Sequence, residues 1–151
     1  MALILTLDAS VFVAAARKSE PGHAASASLL AAIADAAVPL VEPALLPIEV
    51  AAALSRTGTA AALAREYAEA IIALPGMTLV AVDERLARRT VALSVAHRLR
   101  GADAVYVAVA VMYGARIVTL DREQLARTPT AVAACRPAEA LTWLQQEPIP
   151  D

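Results

Sequence analysis

The tightest constraint on this chain is an apolar run that stops abruptly at an acid. Ala2 to Leu7 is interrupted only by Thr6, and Asp8 follows at once. A strand covered on both faces of a parallel sheet reads as a near-continuous apolar run rather than an alternating one. The pattern therefore predicts a central strand with an acid at its carboxyl end. It returns at Arg116 to Leu120, which ends in Asp121. Val38 to Val41 and Leu79 to Val82 read as further strands, with a weak one around Val132 to Ala134.

Helical stretches fill the intervals. Ser10 to Arg17 is broken by Pro21-Gly22, and His23 to Asp35 follows. Pro47 to Ser55 carries Glu49 in its first turn, and Thr59 to Leu74 ends at Pro75-Gly76. Asp83 stands as N-cap to Glu84–His97, and Ala102–Tyr113 has Asp103 in its first turn and Gly114 in the C′ position. A short helix after Asp121 and a last one from Pro137 to Gln145 complete the reading. Strands alternating with helices predict an α/β fold with a central parallel sheet of four to five strands and helices on both faces.

The chain's 151 residues suit one domain, expected over residues 1–146, with 147–151 a frayed C-terminal tail. Composition is 59% apolar but only 3% aromatic, which predicts a core of many small aliphatic contacts. The single Cys135 has no disulfide partner and no zinc-type spacing around it, so it reads as a buried thiol in a reducing cytoplasm. Met1 to Leu7 lacks a basic flank, and the uncharged stretch Ala104 to Ala115 is well short of the ~20 residues of a bilayer span. A soluble protein with no membrane partner is expected. A net charge of −2 argues against a strongly basic nucleic-acid binder, although every basic residue except Lys18 is Arg, the better phosphate ligand.

Ligands of open parallel sheets bind beyond the carboxyl ends of the strands, near the point where strand order reverses. Asp8 and Asp121 follow predicted strands directly, and Glu49 and Asp103 open helices that can start at the same edge. Each has an ordinary explanation taken singly: Glu49 and Asp103 favour a helix dipole, and Asp8 and Asp121 cap helices. Together they lie among apolar neighbours, where converging carboxylates repel one another and lose hydration. A divalent cation relieves both penalties. A set of hard oxygens with no thiol or imidazole nearby points to Mg²⁺, with Mn²⁺ as a substitute.

These residues also carry a family likeness. Asp8 in LDASVFVAA, Glu49 in LLPIEVAAAL, Asp103 in RGADAVYVAVA and Asp121 in IVTLDREQL resemble, in order, the four acidic motifs of PIN-domain ribonucleases, particularly VapC-type toxins of toxin–antitoxin pairs. The resemblance implies a PIN-like three-layer fold and a metal centre in which Asp8, Asp103 and Asp121 are ligands and Glu49 acts through a water. It further implies endonucleolytic cutting of RNA, a homodimer and inhibition by a cognate antitoxin. A PIN nuclease acting in RNA processing or on DNA, or a non-catalytic nucleic-acid-binding PIN protein, is the alternative.

Ser10 and Thr119 resemble positions where such proteins place a hydroxyl near the metal. Each has a local backbone role as its other reading. Arg100 and Arg122 are the basic residues nearest the acids in sequence, suited either to RNA phosphate or to pairing with a neighbouring acid. Asp83 reads as an N-cap, and His23 and His97 as surface residues; Glu42, at a strand end before Pro43, reads as a solvated loop acid, with an approach to the crevice as its alternative. Leu29, Leu30, Ile33, Ile71 and Ile72 carry more aliphatic surface than one sheet face needs and are expected at an interface. A receiver-type signalling domain needs a late lysine, and the only lysine is Lys18.

Overall fold

The computed structural model describes residues 2–146; the tail predicted to fray lies outside them. Five parallel strands form one sheet: β1 (Leu5–Leu7), β2 (Leu40–Pro43), β3 (Met77–Val80), β4 (Arg116–Val118) and β5 (Ala134–Cys135), in the order β3-β2-β1-β4-β5. The helices are α1 (Ala9–Ala16), α2 (His23–Ala36), α3 (Leu45–Arg56), α4 (Ala61–Ile72), α5 (Glu84–His97), α6 (Gly101–Tyr113), α7 (Arg122–Arg127) and α8 (Pro137–Gln146).

Strand periodicity sorts the side chains into two cores. Leu3, Leu5, Leu7, Leu40, Val118 and Cys135 face one side, where they pack with residues of α1, α2, α3, α4 and α8. On the other side, Ile117 packs with Ala104, Val107 and Ala110 of α6, and Val41 with Leu86 of α5 and Val109 of α6. Helices thus cover both faces, which is why the strands read as continuous apolar runs.

The ladders are uneven. β1 pairs with β4 at three positions and β2 with β3 at four, whereas β1 and β2 share one registered pair, Leu5↔Leu40. β2 also lies two residues further along than its apolar run suggests, so Glu42 and Pro43 belong to the sheet. Leu40 N–H donates to Gly76 O and Ala44 N–H to Val80 O, so even-numbered amides of this segment face β3. The missing N–H of Pro43 therefore faces β1, where the ladder is already open, and costs no rung with β3.

Three other expectations change. Helix α3 begins at Leu45, ahead of Pro47, which sits in the first turn where its missing N–H has no intrahelical partner to lose. Glu49 is therefore past the first turn, and the helix dipole no longer accounts for it. Leu29, Ile33 and Ile71 are core residues and Leu30 packs against the core, leaving only Ile72 of that group exposed. The aliphatic surface attributed to an interface is mostly the filling of the α2–α4 core. His23 is half-buried, with its Nδ1 on Ala14 O at 2.8 Å, tying the start of α2 to α1. Cys135 is buried in β5 and burial pushes its thiol up to about 12, as expected of an inert cysteine.

Gly76 closes the turn into β3 at φ +76°, and a Cβ there would lie 2.8 Å from Val38 O. Gly58 also has positive φ but open space around it. Gly76→Ala is expected to cost about 2–3 kcal/mol in denaturant unfolding, and Gly58→Ala about 1. Equal costs would show that crowding against Val38 carries no weight.

Candidate active site

With strand order β3-β2-β1-β4-β5, the chain builds outward in opposite directions from β1 and β4. The crevice beyond their carboxyl ends is the switch point, and Asp8 and Asp121 stand on its two sides. Both cap the helix that follows. Asp8 Oδ2 accepts Ser10 N–H at 3.2 Å at the start of α1, and Asp121 Oδ1 accepts Gln124 N–H at 2.9 Å at the start of α7.

Two hydroxyls stitch these caps together. Thr119 Oγ1 donates to Asp8 Oδ2 at 3.3 Å and accepts Asp121 N–H at 3.0 Å. Ser10 Oγ accepts Leu120 N–H at 3.2 Å. Both residues thus meet backbone, and Thr119 also holds the acid. Asp8 itself is only 7% exposed. Burial pushes its carboxyl up, the hydrogen bonds from Ser10 and Thr119 pull it down, and the charge of Asp121 adds to the rise.

Asp103 lies in the first turn of α6. Its Oδ2 is buried without a partner, while its backbone carbonyl lies 3.5 Å from Gln124 Nε2. Burial, then the charges of Asp8 and Asp121, push this carboxyl up to about 6; Arg100 opposes the rise and Glu49 adds to it. Glu49 arrives from α3, and its Oε1 accepts the Tyr106 hydroxyl at 2.7 Å. Its carboxyl is raised by burial, lowered by that hydrogen bond and raised again by Asp8. Tyr106 is fully buried one turn after Asp103, and burial with the Glu49 charge pushes its phenol far up, so it acts as a donor.

The four acids, from four elements, therefore share one electrostatic field. Among the described residues, no three His, Cys, Asp or Glu side chains stand close enough to enclose a metal ion as placed. The donor set still fits a hard divalent cation: it is all carboxylate, and Asp103 Oδ2 is a buried acceptor with nothing to accept from.

Arg100, just before α6, reaches the rim of this field. It pairs with Glu123 at 2.5 Å and faces Asp121 Oδ2 at 3.7 Å, and Glu123 also pairs with Arg127. Arg122 is exposed at the first position of α7, and no ion pair or hydrogen bond engages its side chain among the described residues. Asp83 caps α5 as expected, accepting Leu86 N–H at 2.8 Å. A cleft of about 480 Å³ lined by Ala16, Leu54, Leu63, Glu66 and Tyr67 is mostly apolar and includes none of the four acids.

Sequence reasoning missed Tyr106 and misplaced Glu42. Tyr106 lies three residues after Asp103, the spacing that sets two side chains on one helix face. Glu42 is not a solvated loop acid but is wholly buried in β2, where its Oε1 accepts Leu7 N–H at 2.5 Å. Burial pushes its carboxyl well up and the Asp8 charge adds to this, against the Leu7 hydrogen bond. Its two-residue spacing from Leu40 in a buried strand was the available signal.

Asp103 binds its proton more tightly in the folded chain than its ordinary value of 3.8 allows when unfolded. Its contribution to stability is thus fully present below 3.8 and is lost as pH rises to about 6. Asp103→Asn is expected to raise the melting temperature of metal-free protein at neutral pH by a few degrees and to flatten its decline across that window. An unchanged pH profile would show that the folded chain does not hold the Asp103 proton more tightly.

The PIN domain family model matches residues 5–130. Among solved structures, PAE2754 from Pyrobaculum aerophilum is similar at 23% identity, with 97% of this chain and 92% of that one covered and a TM-score of 0.71. VapC20 from Mycobacterium tuberculosis, described as a Sarcin-Ricin loop cleaving toxin, is 19% identical over 85% of this chain and 98% of its own, with a TM-score of 0.69. VapBC2 from Rickettsia felis, solved with a DNA fragment from its promoter, is 12% identical over 89% and 98%, with a TM-score of 0.67. No curated protein matches the chain significantly by sequence.

Proposed function

The chain belongs to the PIN domain family, and on that footing we propose that it is a metal-dependent endoribonuclease, the toxin of a type II toxin–antitoxin pair. The observation that carries this reading is the coupling of four carboxylates at the switch point, with the Asp103 oxygen left buried and unpartnered. Asp8, Asp103 and Asp121 would hold Mg²⁺ or Mn²⁺, with Glu49 acting through a water. When bound, such a cation makes a water more acidic and offsets charge building on a phosphodiester.

The chain's own groups prepare the rest. Thr119 and Ser10 hold Asp8 against the charges around it. The Tyr106 hydroxyl engages one oxygen of Glu49 and leaves the other to orient a water or take its proton. Arg100 and Arg122 flank Asp121 and can hold the RNA backbone on either side of the bond to be cut.

VapC20 is described as a Sarcin-Ricin loop cleaving toxin and VapBC2 as bound to a DNA fragment from its promoter. By analogy we assign this chain a structured single-stranded RNA target and a cognate antitoxin. Self-association is assigned to the α3–α4 groove, where the exposed Ile48 and Ile72 lie together. No helix among the described residues is long and apolar enough to cross a membrane, and a cytoplasmic protein acting on cellular RNA fits that.

Purified protein is expected to cut RNA with Mg²⁺ or Mn²⁺ and to stop when the metal is chelated. Asp8→Asn and Asp103→Asn should each lower the rate about a hundredfold or more with folding intact. Wild-type protein that neither cuts any RNA tried nor binds either metal would refute the reading. Arg100→Ala and Arg122→Ala should weaken RNA binding and reduce the slope of log affinity against log salt by about 0.7 for each phosphate the arginine neutralises. An unchanged slope for either variant would remove that arginine from the RNA path.

A further inference from the structure

The ladder between β1 and β2 opens immediately below Asp8, and side chains replace its next rung. In a regular parallel pair, Leu7 N–H would continue from Leu5 N–H, which donates to Pro39 O at 3.1 Å, and would donate to Val41 O. Instead Val41 O accepts the Thr6 hydroxyl at 2.7 Å, and Leu7 N–H donates to Glu42 Oε1 at 2.5 Å. Pro43 has no N–H to offer the rung after that. Both stand-in groups, Thr6 and Glu42, are fully buried. A buried carboxyl placed where a backbone carbonyl would serve is costly to keep, and its Oε2 has no partner.

The opening has a consequence for the residue that follows. Asp8 N–H donates to Val118 O at 2.9 Å, so β4 holds Asp8 from one side. On the other side only Glu42 holds the preceding amide. We infer that Glu42 is a positioning residue for Asp8: its carboxyl group spans the open rung, fixes the Leu7 amide and so sets where the Asp8 carboxylate stands in the acidic crevice. Its effect on metal binding rests on the proposed function, whereas its hold on the Leu7 amide does not.

The test compares Glu42→Gln with Glu42→Val in full-length protein, reading amide exchange of Leu7 and Asp8 by NMR together with Mn²⁺ titration of the metal-free protein. Gln keeps an oxygen of the same reach, and Val removes every acceptor. Glu42→Gln is expected to keep the Leu7 amide protected and the Mn²⁺ affinity within about twofold of wild type. Glu42→Val is expected to lose the Leu7 protection and to bind Mn²⁺ about tenfold or more weakly, with kcat falling and KM for RNA holding. A Val variant that keeps both properties would overturn the inference. So would a Gln variant that loses metal affinity while keeping the amide protected, because that outcome assigns Glu42 a charge-based role instead. If wild-type protein takes up no Mn²⁺, the metal reading fails, and the Leu7 amide still decides whether Glu42 holds the strand.

Discussion

The burial of carboxylates, compounded by their mutual repulsion, is the constraint around which this molecule is arranged. Asp8, Glu49, Asp103 and Asp121 come from four different elements to the carboxyl edge of one sheet, and each raises the proton affinity of at least one other or is itself so raised. The fold offsets the cost unevenly. Asp8 has Ser10 and Thr119, Asp121 has the α7 amide, and Glu49 has Tyr106. Asp103 is the exception, with one oxygen buried and unpartnered. A site compensated everywhere would have little use for a cation; this one leaves its deficit at a single carboxyl.

The sheet beneath shows the same unevenness. β1 is tied to β4 along its whole length but to β2 at one pair, so the rigid side of Asp8 is the side shared with Asp121. On the other side the backbone ladder gives way to Thr6 and Glu42. Pro43 is compatible with this opening because its missing donor points into it.

The apolar runs ending in Asp8 and Asp121 made the parallel sheet and its acidic edge legible, because burial on both faces leaves a direct mark on composition. Helices with clear punctuation, such as Glu84–His97 behind Asp83 and the helix closed by Gly114, were legible for similar local reasons. Strand register was not, since it depends on neighbours distant in the chain: β2 shifted by two residues and took Glu42 from a loop into the core. Tyr106 escaped notice because its partner Glu49 lies on another helix. Leu29, Ile33 and Ile71 suggested a surface for the opposite reason: a helix stripe looks the same whether it meets its own sheet or another molecule.

The last strand, Ala134–Cys135, has only two residues and runs almost directly into Pro137 and α8. A border this short offers a foreign strand almost no free backbone to zip against, so this edge is poorly suited to growing into stacked ribbons. Recognition at this end of the molecule is thereby left to helix surfaces, where shape and side-chain identity, rather than generic backbone pairing, choose the mate.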